Sequence, residues 1–296
     1  MKILITGANG LLGQHLVKLL LDTTSHEIIA TSKSEPRGII QNNRLHYYSL
    51  DIINGLEVNL LIDKLRPDTI IHCAALTQID ECEQNPIKAW EVNVTASRFL
   101  VDAAKKINSF FIFISTDFVF DGMAGPYKEG DTLNPVSYYG STKVAAEKAV
   151  AESGLQYATI RTCLLYGNIL YGNRSNIISW VKENLENEQP IKVVSDQMRT
   201  PTYVEDLAMG VLLVVEKKAV GLFHISGKDF LSPYEMALST AEVLNLDAKL
   251  IQKVDASIFV QPAKRPAITG FVIEKARDVL GYAPLSFLEA IKKMLL

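Results

Sequence analysis

Cysteine is scarce in this 296-residue chain. Its three copies, Cys73, Cys82 and Cys163, stand at spacings that suit neither a disulfide framework nor a zinc site, so they read as reduced, buried thiols. No apolar run approaches the ~18 residues needed to cross a bilayer. The N-terminus enters a strand-like run, Lys2-Ile3-Leu4-Ile5-Thr6, where a leader would show a charged region, an apolar stretch and a cleavage site. The expected location is the cytoplasm, with no membrane partner. A basic excess is missing too: 30 lysines and arginines stand against 33 aspartates and glutamates, a net charge of −3. Without a cationic stripe to neutralise phosphates, nucleic acid is not an expected partner. No His/Cys/carboxylate cluster asks for a metal, and no internal repeat or low-complexity tract appears.

What is present is apolar residues, 48% of the chain, enough for one large α/β unit or a main domain with a smaller appendage. Short β-branched runs at Ile3 to Thr6, Glu27 to Thr31, Leu45 to Leu50, Thr69 to Cys73, Phe110 to Ser115, Tyr157 to Thr162, Ile191 to Val194 and Leu222 to Ser226 read as strands. Stretches of helical period separate most of them. That alternation predicts a Rossmann-type, doubly wound parallel sheet covered on both faces. Arg66-Pro67-Asp68 should end a helix, because the residue before proline is pushed out of the helical region. Gly122 to Ser137, rich in Gly, Pro and Asp, reads as a long surface loop of the kind that serves sites.

Gly7-Ala8-Asn9-Gly10-Leu11-Leu12-Gly13 joins the first strand to a helix. The glycines allow a tight turn and close approach of backbone to a pyrophosphate, and the helix start offers free N–H groups to the anion. The segment therefore reads as a dinucleotide-binding turn. A preference for NAD usually shows as an acidic residue ending the second strand; here Thr31, Ser32 and Lys33 stand instead, with Arg37 close behind. Nothing there repels a 2′-phosphate, so NADPH is expected over NADH. Asp51, at the end of the third strand, reads either as an adenine neighbour or as a turn cap.

Tyr139 and Lys143 lie four apart at the start of a helix, which puts both on one face. A neighbouring ammonium moves a phenol from near 10 toward a range useful for proton transfer. The strand Phe111-Ile112-Phe113-Ile114-Ser115-Thr116 delivers Thr116 to the carboxyl edge of the sheet, where open α/β sheets bind ligands. Thr116 could there orient a substrate carbonyl that Tyr139 protonates.

Together these motifs, with Cys73-Ala74-Ala75 and Asn93, resemble an extended short-chain dehydrogenase/reductase. Ser115-Thr116-Asp117-Phe118-Val119-Phe120-Asp121-Gly122, then Tyr127, Glu129, Asn134-Pro135 and Tyr139-Gly140, are similar to the dTDP-4-dehydrorhamnose reductases within it. The likeness continues through Asp196-Gln197, Arg199-Thr200-Pro201-Thr202, Asp206-Leu207-Ala208, Gly221 to Gly227, Arg265-Pro266 and Leu280-Gly281. The resemblance implies residues 1–167 as a mainly dinucleotide-binding domain and 168–296 as a smaller, mainly substrate-binding α/β region, with some segments returning to the main sheet. It implies a cofactor held by Gly7, Asn9, Gly10, Leu11, Leu12 and Gly13 at the pyrophosphate, by Ser32, Lys33, Asp51 and Ile52 at the adenosine end, and by Ala74, Ala75, Thr77, Asn93, Tyr139 and Lys143 along the cleft. Thr116, Tyr139 and Lys143 would be catalytic; Thr116, Asp117, Val119, Phe120 and Arg199 would face the substrate, Arg199 pairing with a diphosphate. The implied reaction is reduction of a keto group on a nucleotide-linked deoxysugar by a monomer or homodimer. Two alternatives share the core: a sugar-nucleotide epimerase or dehydratase, and a non-catalytic dinucleotide-binding regulatory subunit like that of methionine adenosyltransferase.

Overall fold

The computed structural model describes residues 1–38, 41–173 and 175–295. Its first half alternates strand and helix: β1 (Lys2–Thr6), α1 (Leu11–Thr23), β2 (Glu27–Ser32), β3 (Leu45–Ser49), α2 (Gly55–Leu65), β4 (Thr69–His72), the short α3 (Ile79–Gln84) and α4 (Pro86–Trp90), α5 (Ala96–Ile107), β5 (Phe110–Thr116), α6 (Tyr138–Ala151) and β6 (Tyr157–Thr162). There follow β7 (Leu165–Tyr166), α7 (Ile177–Glu186), β8 (Ile191–Val194), β9 (Thr202–Tyr203), α8 (Val204–Lys217), β10 (Gly221–His224), α9 (Pro233–Leu244), β11 (Ile251–Val254) and α10 (Phe287–Leu295).

Seven strands form one parallel sheet in the order β10-β6-β5-β4-β1-β2-β3. The apolar runs end up inside because both faces are covered, and alternate residues of one strand serve opposite layers. Ile3 and Ile5 join the layer of α1 and α8, whereas Leu4 joins that of α2 and α5. Likewise Phe110 and Ile112 face one layer, Phe111 and Phe113 the other. After β3 the chain returns to add β4 on the far side of β1, so the strand order reverses between β1 and β4. A crevice opens at the carboxyl ends of strands flanking such a switch point.

Local chemistry sets the boundaries. Asn54 caps α2 by accepting the Glu57 N–H, and the helix stops at Arg66, whose left-handed φ of 45° precedes Pro67. Beyond β6 the chain builds a small second layer in which the parallel pair β8 and β11 packs under α7 and α9 through Val181, Leu185, Ile191, Val193, Ala237 and Ile251. Yet β10 pairs with β6 and extends the main sheet. β7, β9 and β11 escape sequence reading, because two-residue strands show no period and β11 is half polar.

The segment 122–137 departs from a solvated surface loop. Tyr127 is buried, its ring stacked on Phe120 at 4.0 Å between centroids. Its phenol accepts from the N–H groups of Gly122, Met123 and Ala124 and donates to Asp121 at 2.6 Å. One aromatic side chain thus satisfies the turn's backbone and pins it to the core. No helix among the described residues is long and apolar enough to cross a membrane.

Candidate active site

A cleft of about 830 Å³ opens at the switch point. Its floor is the glycine turn. Gly10 caps α1 with no side-chain hydrogen bond, so no side chain competes for the first-turn N–H groups. Gly13 is required for contact: a Cβ there would stand 2.3 Å from the Gly7 carbonyl oxygen. Gly7, Gly10, Leu11, Leu12 and Gly13 all line the cleft, with Ser32, Lys33, Asp51 and Ile52 at one end and Ala74, Ala75 and Thr77 along a side. Lys33 Nζ and Asp51 Oδ2 lie 2.7 Å apart.

Thr116, Asp117, Tyr139 and Lys143 form the opposite wall. Ser137 starts α6 by accepting the Gly140 N–H at 3.2 Å, which sets Tyr139 in the first turn. Gly140 lets that turn press on the end of β5, because a Cβ would stand 2.1 Å from the Phe118 carbonyl oxygen. Three successive strand residues then meet three helix residues spaced one turn apart. Thr116 stands beside Tyr139 on this wall, its Oγ1 donating to Asp117 Oδ1 at 3.1 Å. The Ile114 carbonyl accepts from Lys143 Nζ at 2.7 Å, and Ser115 Oγ donates to Glu147 at 2.5 Å.

The expected electrostatics hold in part. Burial pushes the Tyr139 phenol well above its ordinary value, with the Thr116 hydroxyl opposing and Asp117 adding. Lys143 is not among the charges acting on it. Its ammonium is directed to the Ile114 carbonyl and lies 4.1 Å from the centre of the Phe113 ring. Burial also pushes Lys143 down to about 8, against Glu147 and Cys73. Cys73 is half-buried and lines the cleft, where a fully buried thiol was expected; burial raises it to about 12.

Five of the expected site residues are not brought into the cleft. Asn9 turns its amide to Ser32, Ser34 and Glu35 and accepts the Arg37 N–H, bracing the turn after β2. Val119 and Phe120 are fully buried, Phe120 against Tyr127, Phe271 and His224. Arg199 is also buried. Its guanidinium donates to the carbonyls of Met198, Ala267 and Pro266 and lies 3.6 Å from Asp117, so it has no free face for a diphosphate. Asn93 sits on a π-helical turn, Glu91–Thr95, accepting from Leu76 N–H at 2.8 Å and donating to Leu76 O and Thr142 Oγ1.

Sequence reasoning missed the polar chain beneath the cleft. Ala74 N–H donates to Thr6 Oγ1, which pairs with His72 Nδ1 at 2.8 Å; His72 Nε2 meets Ser97 Oγ at 3.0 Å, and Ser97 donates to the Asn93 carbonyl. Burial pushes His72 down to about 3. The neutral ring therefore accepts at Nδ1 and donates from Nε2, so every hydrogen bond runs one way, from β4 to the π turn. Thr162, which ends β6, with Leu164 and Leu165 beyond it and Ser175 to Ile177 at the start of α7, closes the cleft on the far side. Only Thr162, at a strand's carboxyl end, carried a positional signal.

The sequence profile of the RmlD substrate binding domain family matches residues 1–296. A dTDP-4-dehydrorhamnose reductase from Aggregatibacter actinomycetemcomitans is 32% identical over 99% of this chain and 98% of its own. Methionine adenosyltransferase 2 subunit beta from Bos taurus is 33% identical over 90% of this chain and 78% of its own. Among solved structures, a dTDP-4-dehydrorhamnose reductase from Clostridium acetobutylicum superposes with a TM-score of 0.89 at 33% identity, covering 100% of this chain and 98% of that one. The Bacillus anthracis dTDP-4-dehydrorhamnose reductase, solved in complex with NADP, gives a TM-score of 0.84 at 28% identity over 99% and 98% of the two chains.

Proposed function

Because this chain belongs to the RmlD substrate binding domain family, we propose that it is an NADPH-dependent oxidoreductase reducing the keto group of a nucleotide-linked deoxysugar, dTDP-4-dehydrorhamnose, to dTDP-rhamnose. The observation that carries this reading is the meeting of Thr116, Tyr139 and Lys143, from β5 and α6, on the wall facing the uncapped start of α1.

The residues present fit the cofactor: a glycine floor whose tight turn added Cβ atoms would break, helix N–H groups with no side-chain cap, and Lys33 at the adenosine end. Gly7, Gly10, Leu11, Leu12 and Gly13 hold the pyrophosphate, Asp51 and Ile52 flank the adenine, and Ser32 and Lys33 receive the 2′-phosphate. Ala74, Ala75 and Thr77 line the middle. When bound, the nicotinamide supplies the hydride. Thr116 orients the carbonyl oxygen, the protonated Tyr139 donates to it, and Lys143 holds the ribose. Asn9 and Asn93 act as braces. Residues 1–167 supply the cofactor side and 168–296 the substrate side. A neighbouring recess of about 500 Å³, lined by Trp180, Lys192, Phe259 and Arg265, takes the nucleotide, with Lys192 and Arg265 in the role first given to Arg199.

Nucleotide-linked keto-sugars assayed by loss of reduced-cofactor absorbance test the proposal. Turnover of the 4-keto sugar with added NADPH supports it. Copurified NAD with no net oxidation of added NADPH would favour the epimerase or dehydratase chemistry. The similarity to methionine adenosyltransferase 2 subunit beta favours a second reading, a regulatory subunit. Cofactor binding without turnover of any sugar would support that one.

A further inference from the structure

Glu147 lies one turn beyond Lys143 on α6 and is buried, a costly place for a carboxylate unless it is paired. Its partners come from two strands. Ser115 Oγ donates from β5 at 2.5 Å, while Arg161, on β6, donates from Nε at 3.0 Å and Nη2 at 2.7 Å. Arg161 is itself 3% exposed and held from behind, its Nη1 meeting the Glu129 carbonyl at 3.4 Å and His224 Nε2 at 3.5 Å. His224 is neutral, since burial and Arg161 push it down to about 3, and its Nδ1–H donates to the Tyr127 carbonyl. The carboxylate is thus fixed by donors from β5 and β6.

The titratable groups around Lys143 can be named element by element. From β4 come His72 and Cys73, both neutral at pH 7 because burial lowers the first and raises the second. β5 contributes the Ile114 carbonyl and the Phe113 ring. α6 contributes Tyr139, protonated, and Glu147. Of these only Glu147 brings negative charge, and Arg161 stands beyond it on the next strand.

We propose that Glu147, anchored by Ser115 and Arg161 one helical turn from Lys143, is a positioning residue that keeps the Lys143 ammonium charged where the Ile114 carbonyl holds it. Ser115, Ile114 and Thr116 then form one register in which the end of β5 sets Glu147, Lys143 and Tyr139 in turn. A buried ion pair is weak evidence of stabilisation by itself; its place one turn from Lys143 gives it this second role. The catalytic meaning of Lys143 rests on the reductase reading, whereas its charge is measurable without substrate.

The test follows the Lys143 ammonium by ¹⁵N NMR of lysine-labelled protein across pH, with the signal assigned by its loss in K143M. In E147Q the titration midpoint should move about one pH unit lower, and Glu147→Asp should restore most of it. If E147Q alone does not fold, E147Q/R161M removes both charges together and orphans neither. The midpoint should fall there too, because the nearer charge is the carboxylate. An unchanged midpoint in either folded variant overturns the proposal. The alkaline limb of kcat/KM should move with the midpoint; a midpoint that moves while the limb stays would overturn the reading of Lys143 as catalytic and leave the role of Glu147 intact.

Discussion

Tyr139 is the acid in the proposed reaction, and its burial matters as much as its hydroxyl. Desolvation raises its pKa, so the phenol stays protonated at neutral pH and donates only as charge develops on the substrate oxygen beside it. Tyr139→Phe keeps the ring packed on Phe118 while deleting the proton, and kcat should fall about 10²–10⁴-fold with little change in melting temperature. A folded variant retaining more than half of the parent kcat would remove Tyr139 from the mechanism. Lys143 sets the other limit. Pushed down to about 8, it is a cation below that pH and loses its proton above it, so kcat/KM should decline as pH rises through about 8. In the proposed reaction Lys33 sets the cofactor choice. Its pairing with Asp51 at 2.7 Å is largely exposed, a contact worth about 0–1 kcal/mol. A 2′-phosphate, which carries more charge than a carboxylate, can therefore recruit the ammonium. In Lys33→Ala, kcat/KM should drop for NADPH and hold for NADH; equal losses for both would refute that assignment.

At the scale of elements, what was legible in the sequence is what depends on local signals. The strand runs, the glycine turn and the Tyr139/Lys143 helix declare themselves through period, glycine spacing and a four-residue interval, and all are found in the fold, with strand ends shifted by at most two residues. Arg199 shows the opposite case. A lone arginine near a proline reads the same whether its guanidinium faces solvent or three carbonyls, and only the approach of 197–201 to 266–269 buries it. Phe120 and Val119 follow Thr116 in sequence, but the 3₁₀ turn Asp117–Val119 after β5 directs them inward. Glu147 went unread, because its partners lie on β5 and β6, 32 and 14 residues away. Arg199→Met tests this distinction. Removing one member of a buried charge pair leaves Asp117 uncompensated and costs about 3–5 kcal/mol, read as a lowered urea midpoint. Weaker substrate binding with unchanged stability would instead return Arg199 to the substrate site.

At the scale of the molecule, a charged contact joins α3 to the C-terminal segment that lines the recess beside the cleft. Asp80, on α3, accepts from Arg265 Nη2 at 2.7 Å and Nη1 at 3.1 Å and from the Ala263 N–H at 3.2 Å. This joins the cofactor side to the segment that also lines the neighbouring recess. The Arg265 hydrogen bonds hold the Asp80 carboxyl below its ordinary range. The bridge is therefore complete above the usual carboxylate value and is lost as pH falls through the lowered one. Asp80 is 38% exposed, so solvent and salt screen the pair and its worth is about 0–1 kcal/mol. A contact that weak cannot hold the fold, but it can bias where Arg265 waits for the nucleotide. Asp80→Asn should accordingly leave the melting temperature and kcat near parent values while raising the KM for the sugar nucleotide up to roughly fivefold. High salt should raise the parent KM toward that of the variant. A variant that loses kcat at unchanged KM would show that the bridge acts on the chemistry and not on entry of the substrate.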